Sequence, residues 1–509
     1  MSHDTRESLP GSGATPAGRT SPPGSQIMLA VVLIGELMAV LDASVVDTAL
    51  PTIQADTGAS AAGLQWTHAA YALALGIGLI TGGRLGDLYG RKRTFLFGTG
   101  AFTAASLLCT LAIGPATLIA ARAVQGAGAA VMIPQVLATL HVTFSNSGKG
   151  TDNDNDNGSD RDRDLDRAKA FGLYGTVLSI GSAAGPVLGG VLTQADLFGL
   201  GWRSIFLINV PLGIATVLLG HRYMTESRDM RAPRLDPLGM VLSALGLLLI
   251  AYPLSAGGAQ HWPWWTFTAM AAGVAVLVGL VVQQRTRTRE GGYPLLELSL
   301  FSGRPFSGGL TVQLVFGLLS GLFFMCWTLF MQQGLGMSPS RAAVGFLLLT
   351  LAEITGAWPA MAAVARHQRR APQAGALLAA SALASLHLLA TTYGTGLSMT
   401  TMALPVLALG FGLGMIGAPL TDLTIGRVDD AHAGSASGLF NTATHLGIAL
   451  GVVLTGVVFF AHDQSATARG GEVVDAFIAT LPYVIGGLLI AWALMFLLPR
   501  AAPRRTLRR

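Results

Sequence analysis

Charge is scarce in this chain of 509 residues, of which only 12% are Asp, Glu, Lys or Arg. A soluble domain typically carries roughly 25%. Cysteine is almost absent, and the two that occur, Cys109 and Cys326, fall within apolar stretches, so no disulfide framework is expected. With 51% apolar residues arranged in long runs, the chain is predicted to be an all-α polytopic membrane protein.

Several chemical signatures are also missing from the sequence. We find no nucleophile–base pair, no metal-ligand spacing and no phosphate-binding loop, so we expect neither an enzyme nor a bound metal or cofactor. The formal net charge of +5 does not indicate a nucleic-acid partner, because the basic residues lie in short segments between apolar runs. The polar stretch 145–167 is rich in Asp and Asn and faintly resembles a calcium loop, but a low-complexity linker is favoured.

Apolar runs of about 20 residues, the length that crosses a bilayer as a helix, number fourteen. A faint internal repeat divides them into six, two and six. The predicted segments are a disordered tail (1–26), a six-helix bundle (27–222), an inserted helix pair (236–283), a second six-helix bundle (304–499) and a basic tail (500–509). Lys and Arg are concentrated in alternate connecting segments, which predicts that both termini are cytoplasmic.

The first predicted span contains three carboxylates, Glu36, Asp42 and Asp47. Each costs roughly 2.5–3.5 kcal/mol to place in a membrane, so each is a candidate functional residue. Glu36 and Asp47 are separated by about three helical turns and share a face, whereas Asp42 lies on another side. Such a helix must line a polar cavity. The alternative is that neighbouring hydroxyl groups satisfy these acids, which then serve structure alone.

Two further patterns stand out for their glycines. Gly181, Gly185 and Gly189 recur every four residues around Pro186, which predicts a smooth, bent stripe that another helix can approach closely. This stripe is either a seam between moving parts or ordinary helix packing. The stretch 83–93 has Gly83, Asp87, Gly90 and Arg91 in a spacing that a plain basic connecting loop would not need.

These stretches, read together, resemble the 14-helix drug:proton antiporter family of the major facilitator superfamily. The 181–190 stretch resembles its antiporter motif, 83–93 its loop between helices two and three, and 41–51 its first-helix signature, with Asp47 in place of a common Asn. Residues 201–211 resemble its entry to helix six. The resemblance covers nearly the whole chain, and it implies that 83–93 forms a cytoplasmic gate.

Arg122, inside the fourth span, belongs to a stretch that resembles the motif ascribed to proton coupling in this family. A buried guanidinium needs an acidic or carbonyl partner, and Asp42 is the leading candidate. Protonation of that acid would remove one partner of a buried pair and bias a two-state protein toward one conformation. A permanent structural ion pair is the alternative.

The second bundle offers fewer candidates. Glu353 lies near the middle of the tenth span, and Asn441 and His445 lie on the thirteenth. With Glu36 and Asp47 they are predicted to line the substrate cavity, although Glu353 is equally compatible with a satisfied structural acid and His445 with a core histidine.

The resemblance therefore implies a monomer in the bacterial cytoplasmic membrane that exports small, largely apolar compounds and uses the proton gradient as its energy source. Its partners would be a small-molecule substrate, protons and the lipid bilayer. A same-fold importer or exchanger, and a non-transporting sensor, are the alternatives.

Overall fold

The computed structural model of the protein describes residues 23–145, 173–174, 177, 180–181, 184–227, 236–257, 260, 262–292, 294–295, 298–425, 428, 433–460 and 470–498. Within these ranges all regular secondary structure is helical, which confirms the all-α prediction. The 145–167 stretch beyond Ser145, the basic tail 500–509 and the first 22 residues lie outside the description. The first helix begins at Pro23, inside the predicted 1–26 tail, at a position where the missing proline N–H costs nothing.

Within the described residues, seven helices precede the inserted pair. They are α1 (Pro23–Thr57), α2 (Ala61–Tyr89), α3 (Arg91–Thr110), α4 (Pro115–Ser145), α5 (184–195), α6 (Ser204–Leu207) and α7 (Asn209–Tyr223). The eight that follow are α8 (Pro237–Gly257), α9 (Trp264–Arg289), α10 (Arg304–Leu329), α11 (Pro339–His367), α12 (Arg370–Tyr393), α13 (Met399–Ile425), α14 (Ala433–Val458) and α15 (Gly470–Leu494).

These fifteen helices correspond to the fourteen predicted spans, because α6 and α7 together form one span, Gly201–Tyr223, that is interrupted at Ile208. Pro211 accounts for the interruption, since it has no N–H to donate to the carbonyl of Leu207. Eleven helices of the described residues are long and apolar enough to cross a membrane. The 29-residue α2 and the 20-residue α3 are long enough but contain more polar side chains.

The helices pack as two groups with the inserted pair at their edge. In the first half α4 packs against both α2 and α3, and in the second half α13 packs against α11 and α12 while α10 packs against α14. The halves meet mainly through α2 and α14. The division into separate bundles at the predicted boundaries stays a prediction.

The inserted helices α8 and α9 form a hairpin that docks on α2 and α14. A ladder of aromatic rings marks the contact, with Tyr252 of α8 lying 6.4 Å from Trp66 and 6.0 Å from Trp265. At the opposite end of the hairpin, buried Asp236 accepts hydrogen bonds from the N–H of Gly239 and from α9. Burial alone raises the pKa of Asp236, but these hydrogen bonds and a neighbouring arginine bring it below its ordinary value.

The two halves are joined by hydrogen bonds at the end where α1 ends at Thr57 and α2 begins at Ala61, which we term the outer end. The π-helical turn Phe330–Gly334, which continues α10, supplies both donors. Gln332 Nε2 donates to the carbonyl of Thr48 at 2.7 Å, and Gln333 Nε2 donates to Gln54 Oε1 at 2.8 Å. The outer end is therefore closed across the boundary between the halves.

Candidate functional site

A polar network occupies the centre of the first half. Asp42 Oδ2 accepts a hydrogen bond from Arg122 Nη1, while Asp42 Oδ1 accepts from Gln125 Nε2 at 2.7 Å and from Asn209 Nδ2 at 2.8 Å. Gln125 makes two further hydrogen bonds within the network. Its Oε1 accepts from Arg122 at 2.7 Å, and its Nε2 donates to Ser106 Oγ at 2.8 Å. Helices α1, α3, α4 and α7 each contribute to one connected cluster.

Both members of the ion pair are completely buried, with 0% side-chain exposure for Asp42 and Arg122. The Tyr71 ring packs beneath the guanidinium at 4.3 Å, and the carbonyl of Thr67 accepts from Arg122 Nε at 3.2 Å. An ion pair taken out of water is tolerated only when its geometry and additional hydrogen bonds compensate the lost hydration. Removing the charge of either partner would leave the other buried without compensation.

The contact expected between Arg122 and Asp42 is thus present, and its role in coupling stays a prediction. Gln125 and Asn209 complete the network and were not predicted from the sequence, although Asn209 lies within the 201–211 stretch. The position of Gln125 was predictable, since it lies three residues after Arg122 and hence on the same face of α4. The contact of Tyr71 with Arg122 was not predictable, because aromatic residues are common in membrane spans.

The other two acids of α1 have separate partners. Glu36, 3% exposed, accepts a hydrogen bond from Tyr174 at 3.2 Å through Oε1, and its buried Oε2 has no partner among the described residues. Asp47 Oδ1 lies 2.8 Å from His68 Nδ1 of α2. Each of these acids of α1 therefore faces a different neighbouring helix, and neither Tyr174 nor His68 was predictable as a partner from local sequence pattern.

The glycine stripe of 181–190 lies against α1. A Cβ at Gly181 would come within 2.9 Å of Val40, and one at Gly185 or Gly189 would overlap a hydroxyl oxygen of Ser44 or Thr48, respectively. Both helices therefore contribute small or hydroxylated side chains at four-residue intervals. Two hydroxyl groups also donate across the contact, from Ser44 to the carbonyl of Gly181 at 3.5 Å and from Thr48 to that of Pro186 at 3.3 Å.

The 83–93 stretch is not the loop expected from the sequence. It remains helical through Tyr89, turns at Gly90 alone, and enters α3 at Arg91. Gly90 has φ +100°, a conformation that other residues rarely adopt. Gly83 lies inside α2 facing α4, where an added Cβ would be 3.7 Å from Pro134, an ordinary contact distance. The side chain of Asp87 lies outside the description.

The carboxylate that caps α3 comes from elsewhere in the chain. Glu226 accepts hydrogen bonds from the N–H groups of Lys92 at 3.1 Å and Arg93 at 3.3 Å, while the N–H of Arg91 donates to the carbonyl of Ser227 at 2.9 Å. A carboxylate at a helix N-terminus is stabilised by the unpaired N–H groups there. Glu226 lies 134 residues from Lys92, so local sequence pattern could not identify it.

In the second half, the three candidate residues stand apart from these networks. Glu353 of α11 is half-buried, as are Asn441 and His445 of α14. Within the described residues, none of the three has a hydrogen bond or ion pair. The structure therefore does not bring them into direct contact with the acids of α1.

A helical protein with fourteen membrane spans, two similar-sized halves and a charged network in the middle of one half has the architecture of a membrane transporter. The profile of the Major Facilitator Superfamily matches residues 32–452. The chain belongs to this superfamily, as a multi-pass membrane protein of its 14-helix drug exporter group.

Similar proteins support the same assignment. The chain is 37% identical to the probable actinorhodin transporter of Streptomyces coelicolor, over 89% of this chain and 76% of that protein. It is 33% identical to the tetracenomycin C resistance and export protein of Streptomyces glaucescens, over 90% and 80%, respectively. The fold is also that of an auto-inhibited POT family peptide transporter, with a TM-score of 0.64, 14% identity and coverage of 94% and 98%.

Proposed function

We propose that this protein exports small, largely apolar compounds of the antibiotic class across a bacterial cytoplasmic membrane in exchange for protons. The observation that carries the proposal is the fully buried Asp42–Arg122 pair on α1 and α4. The relatives named for export of actinorhodin and tetracenomycin C support the substrate class and the direction of transport. The protein acts as a monomer with both termini in the cytoplasm.

The proton acts through the charge balance of the network. With Asp42 ionised, its two oxygens accept from Arg122, Gln125 and Asn209. Protonation of Asp42 neutralises it and leaves the Arg122 charge buried without a counterion, which is costly in a medium of low dielectric. The protein relieves this cost by moving to a conformation in which the guanidinium finds water or another acceptor. Proton binding thereby changes the equilibrium between two states.

The two states differ in which end is closed. The hydrogen bonds of Gln332 and Gln333 to α1 hold the outer end closed, and Gly190 packs directly on the backbone of Pro339 and Ser340 at the same end. Alternating access requires these contacts to break while the halves close at the end of the 83–93 stretch. The glycine stripe between α5 and α1 permits close sliding of these helices, and the single-residue turn at Gly90 forms part of the cytoplasmic gate.

The proposal is tested by export of tetracenomycin C and actinorhodin from cells and from proteoliposomes with an imposed pH gradient. Wild-type protein should export at least one of them, and a protonophore should abolish export. Asp42→Asn should remove proton-driven export because asparagine has no titratable group. Its amide oxygen can still accept from Arg122, so the variant should lose less stability than removal of the arginine would cost and should still reach the membrane folded. Wild-type export by Asp42→Asn would exclude Asp42 from coupling.

Other outcomes would contradict the proposed function itself. Gradient-driven uptake in the same vesicles would indicate an importer or exchanger, and binding without flux would indicate a sensor. Asp56→Asn serves as the matched control on α1, since that acid is partly exposed at the outer end and pairs with Arg203 rather than with the central network.

A further inference from the structure

Asp47 and His68 form a second pair of titratable groups beside the central network. Their side chains approach to 2.8 Å and retain 13% and 12% exposure, respectively, whereas Asp42 and Arg122 retain none. The imidazole nitrogen and the carboxylate oxygen are thus close enough to share one proton.

The pair is adjacent to the central network on both of its helices. Asp47 follows Asp42 on α1 by five residues, a rise of about 7.5 Å. On α2, His68 directly follows Thr67, whose carbonyl accepts from Arg122 at 3.2 Å. Because the two pairs are close and the intervening medium has a low dielectric constant, a change of charge at one pair changes the electrostatic energy of the other.

The pair also lies between two contacts that join the halves of the molecule. The residue after Asp47 is Thr48, whose carbonyl accepts from Gln332 of the π-helical turn at 2.7 Å. Three residues before His68 is Gln65, whose side chain packs directly against Gly456 of α14. Opening the outer end must separate both contacts, and this would increase the access of water to Asp47 and His68.

Other ionisable side chains of the surrounding helices are arranged differently. Within the described residues they include Glu36, Asp42 and Asp56 on α1, Tyr71, Arg84 and Tyr89 on α2, Arg122 on α4, Tyr174 in the helical residues before α5, Tyr252 on α8, Arg341 and Glu353 on α11, and His445 on α14. None of these has a hydrogen bond or ion pair with Asp47 or His68. The pair thus stands apart from the other ionisable groups.

We propose that Asp47 and His68 constitute a second proton-binding site, loaded when the outer end opens, so that one proton binds there in addition to the proton at Asp42. This inference rests on the proposed proton-coupled function. It also gives a role to the Asp47 carboxylate. The first-helix signature that this stretch resembles commonly has Asn at that position.

The test uses the proton itself as the ligand. Spin labels at Ala55→Cys and Arg341→Cys, both exposed near the outer ends of α1 and α11, report opening of that end by double electron–electron resonance. The native cysteines are buried and escape labelling. We expect the open fraction of the wild type to change between pH 5 and 9 with the uptake of about two protons.

Replacement of either member of the pair should reduce this slope to about one proton. Asp47→Asn and His68→Gln are the two variants, and the combination Asp42→Asn/Asp47→Asn should lose the pH response. Asp56→Asn, the acid of α1 that pairs with Arg203, should behave as wild type. Thermal unfolding in micelles separates a lost proton site from a lost fold, and His68→Asn replaces His68→Gln should the latter not fold.

Two results would overturn the inference while the proposed function stands. One is an unchanged slope of about two protons in Asp47→Asn or in both His68 variants. The other is complete loss of the pH response in Asp42→Asn alone, which would leave no proton for a second site. A wild type without any pH response would contradict the proposed function and the inference together.

Discussion

The two halves of the molecule are similar in helix number and differ sharply in what they bury. The first half encloses a connected polar network in which Asp42 and Arg122 have no contact with water. Near its outer end the second half holds stacked aromatic rings, with Phe330 and Phe477 only 4.1 Å apart and Trp327 packed beside them. Glu353, the candidate acid in the middle of α11, is half-buried and has no polar partner among the described residues.

This difference matches two requirements of the proton-coupled export proposed above. A fixed network with directional hydrogen bonds responds sharply to a single proton, because each partner depends on the others. Apolar contacts such as those that dominate the second half are mostly non-directional and can accommodate ligands of varied shape. We therefore expect changes in the first half to abolish coupling, and changes in the second half to alter which compounds are carried.

The largest effect is expected for Arg122→Met. This change leaves Asp42 buried without its counterion, and loss of one member of a buried pair typically costs about 3–5 kcal/mol. The fraction of folded protein and the midpoint of thermal unfolding in micelles should both fall. His445→Gln, a change of a half-buried and unpaired residue in the second half, should leave both quantities near the wild-type values.

Removal of both charges sharpens this prediction. Asp42→Leu/Arg122→Met should recover folded protein, since no buried charge is left unpaired, but it should not recover proton-driven export. Equal stability of Arg122→Met and wild type would show that the pair contributes little to the folded state. Export by the double variant would assign coupling to another group.

An intermediate effect is expected for Gly185→Ala. Alanine normally stabilises a helix relative to glycine by roughly 1 kcal/mol, but a methyl group at this position would overlap the hydroxyl of Ser44. We predict that the variant unfolds at a lower temperature and transports more slowly. Gly279→Ala on α9 is the matched control, because no atom outside its own helix lies within 4 Å of the new methyl group. A gain of stability in both variants would contradict close packing at the stripe.

Much of this arrangement followed from local sequence pattern, and the remainder depended on contacts between distant residues. The acids of α1 and the arginine of α4 were identifiable because a charge inside an apolar run is rare. Their partners Tyr174 and His68 were not, since a single polar residue in a span does not reveal which helix it will meet.

Helix ends showed the same limit. Gly83 and Gly90 appeared equivalent as turn residues, yet only Gly90 turns the chain, while Gly83 lies inside α2 against α4. Glycine permits both a positive φ and close helix packing, so the sequence alone does not separate them. The capping carboxylate of Glu226 required the folded chain, because it arrives from the end of the first half.

The smallest effect on stability is expected for Glu353→Gln. The same variant should have the most selective effect on which compounds are exported. Glutamine preserves the shape of a side chain that has no polar partner among the described residues, so unfolding should change by less than about 0.5 kcal/mol. Loss of the negative charge should reduce export of cationic compounds first and leave neutral ones unaffected. Resistance of expressing cells to a panel of cationic and neutral compounds measures this, with the exposed Asp422→Asn on α13 as control. Identical resistance to every compound would make Glu353 a structural acid, and the aromatic rings alone would then define the substrate surface of the second half.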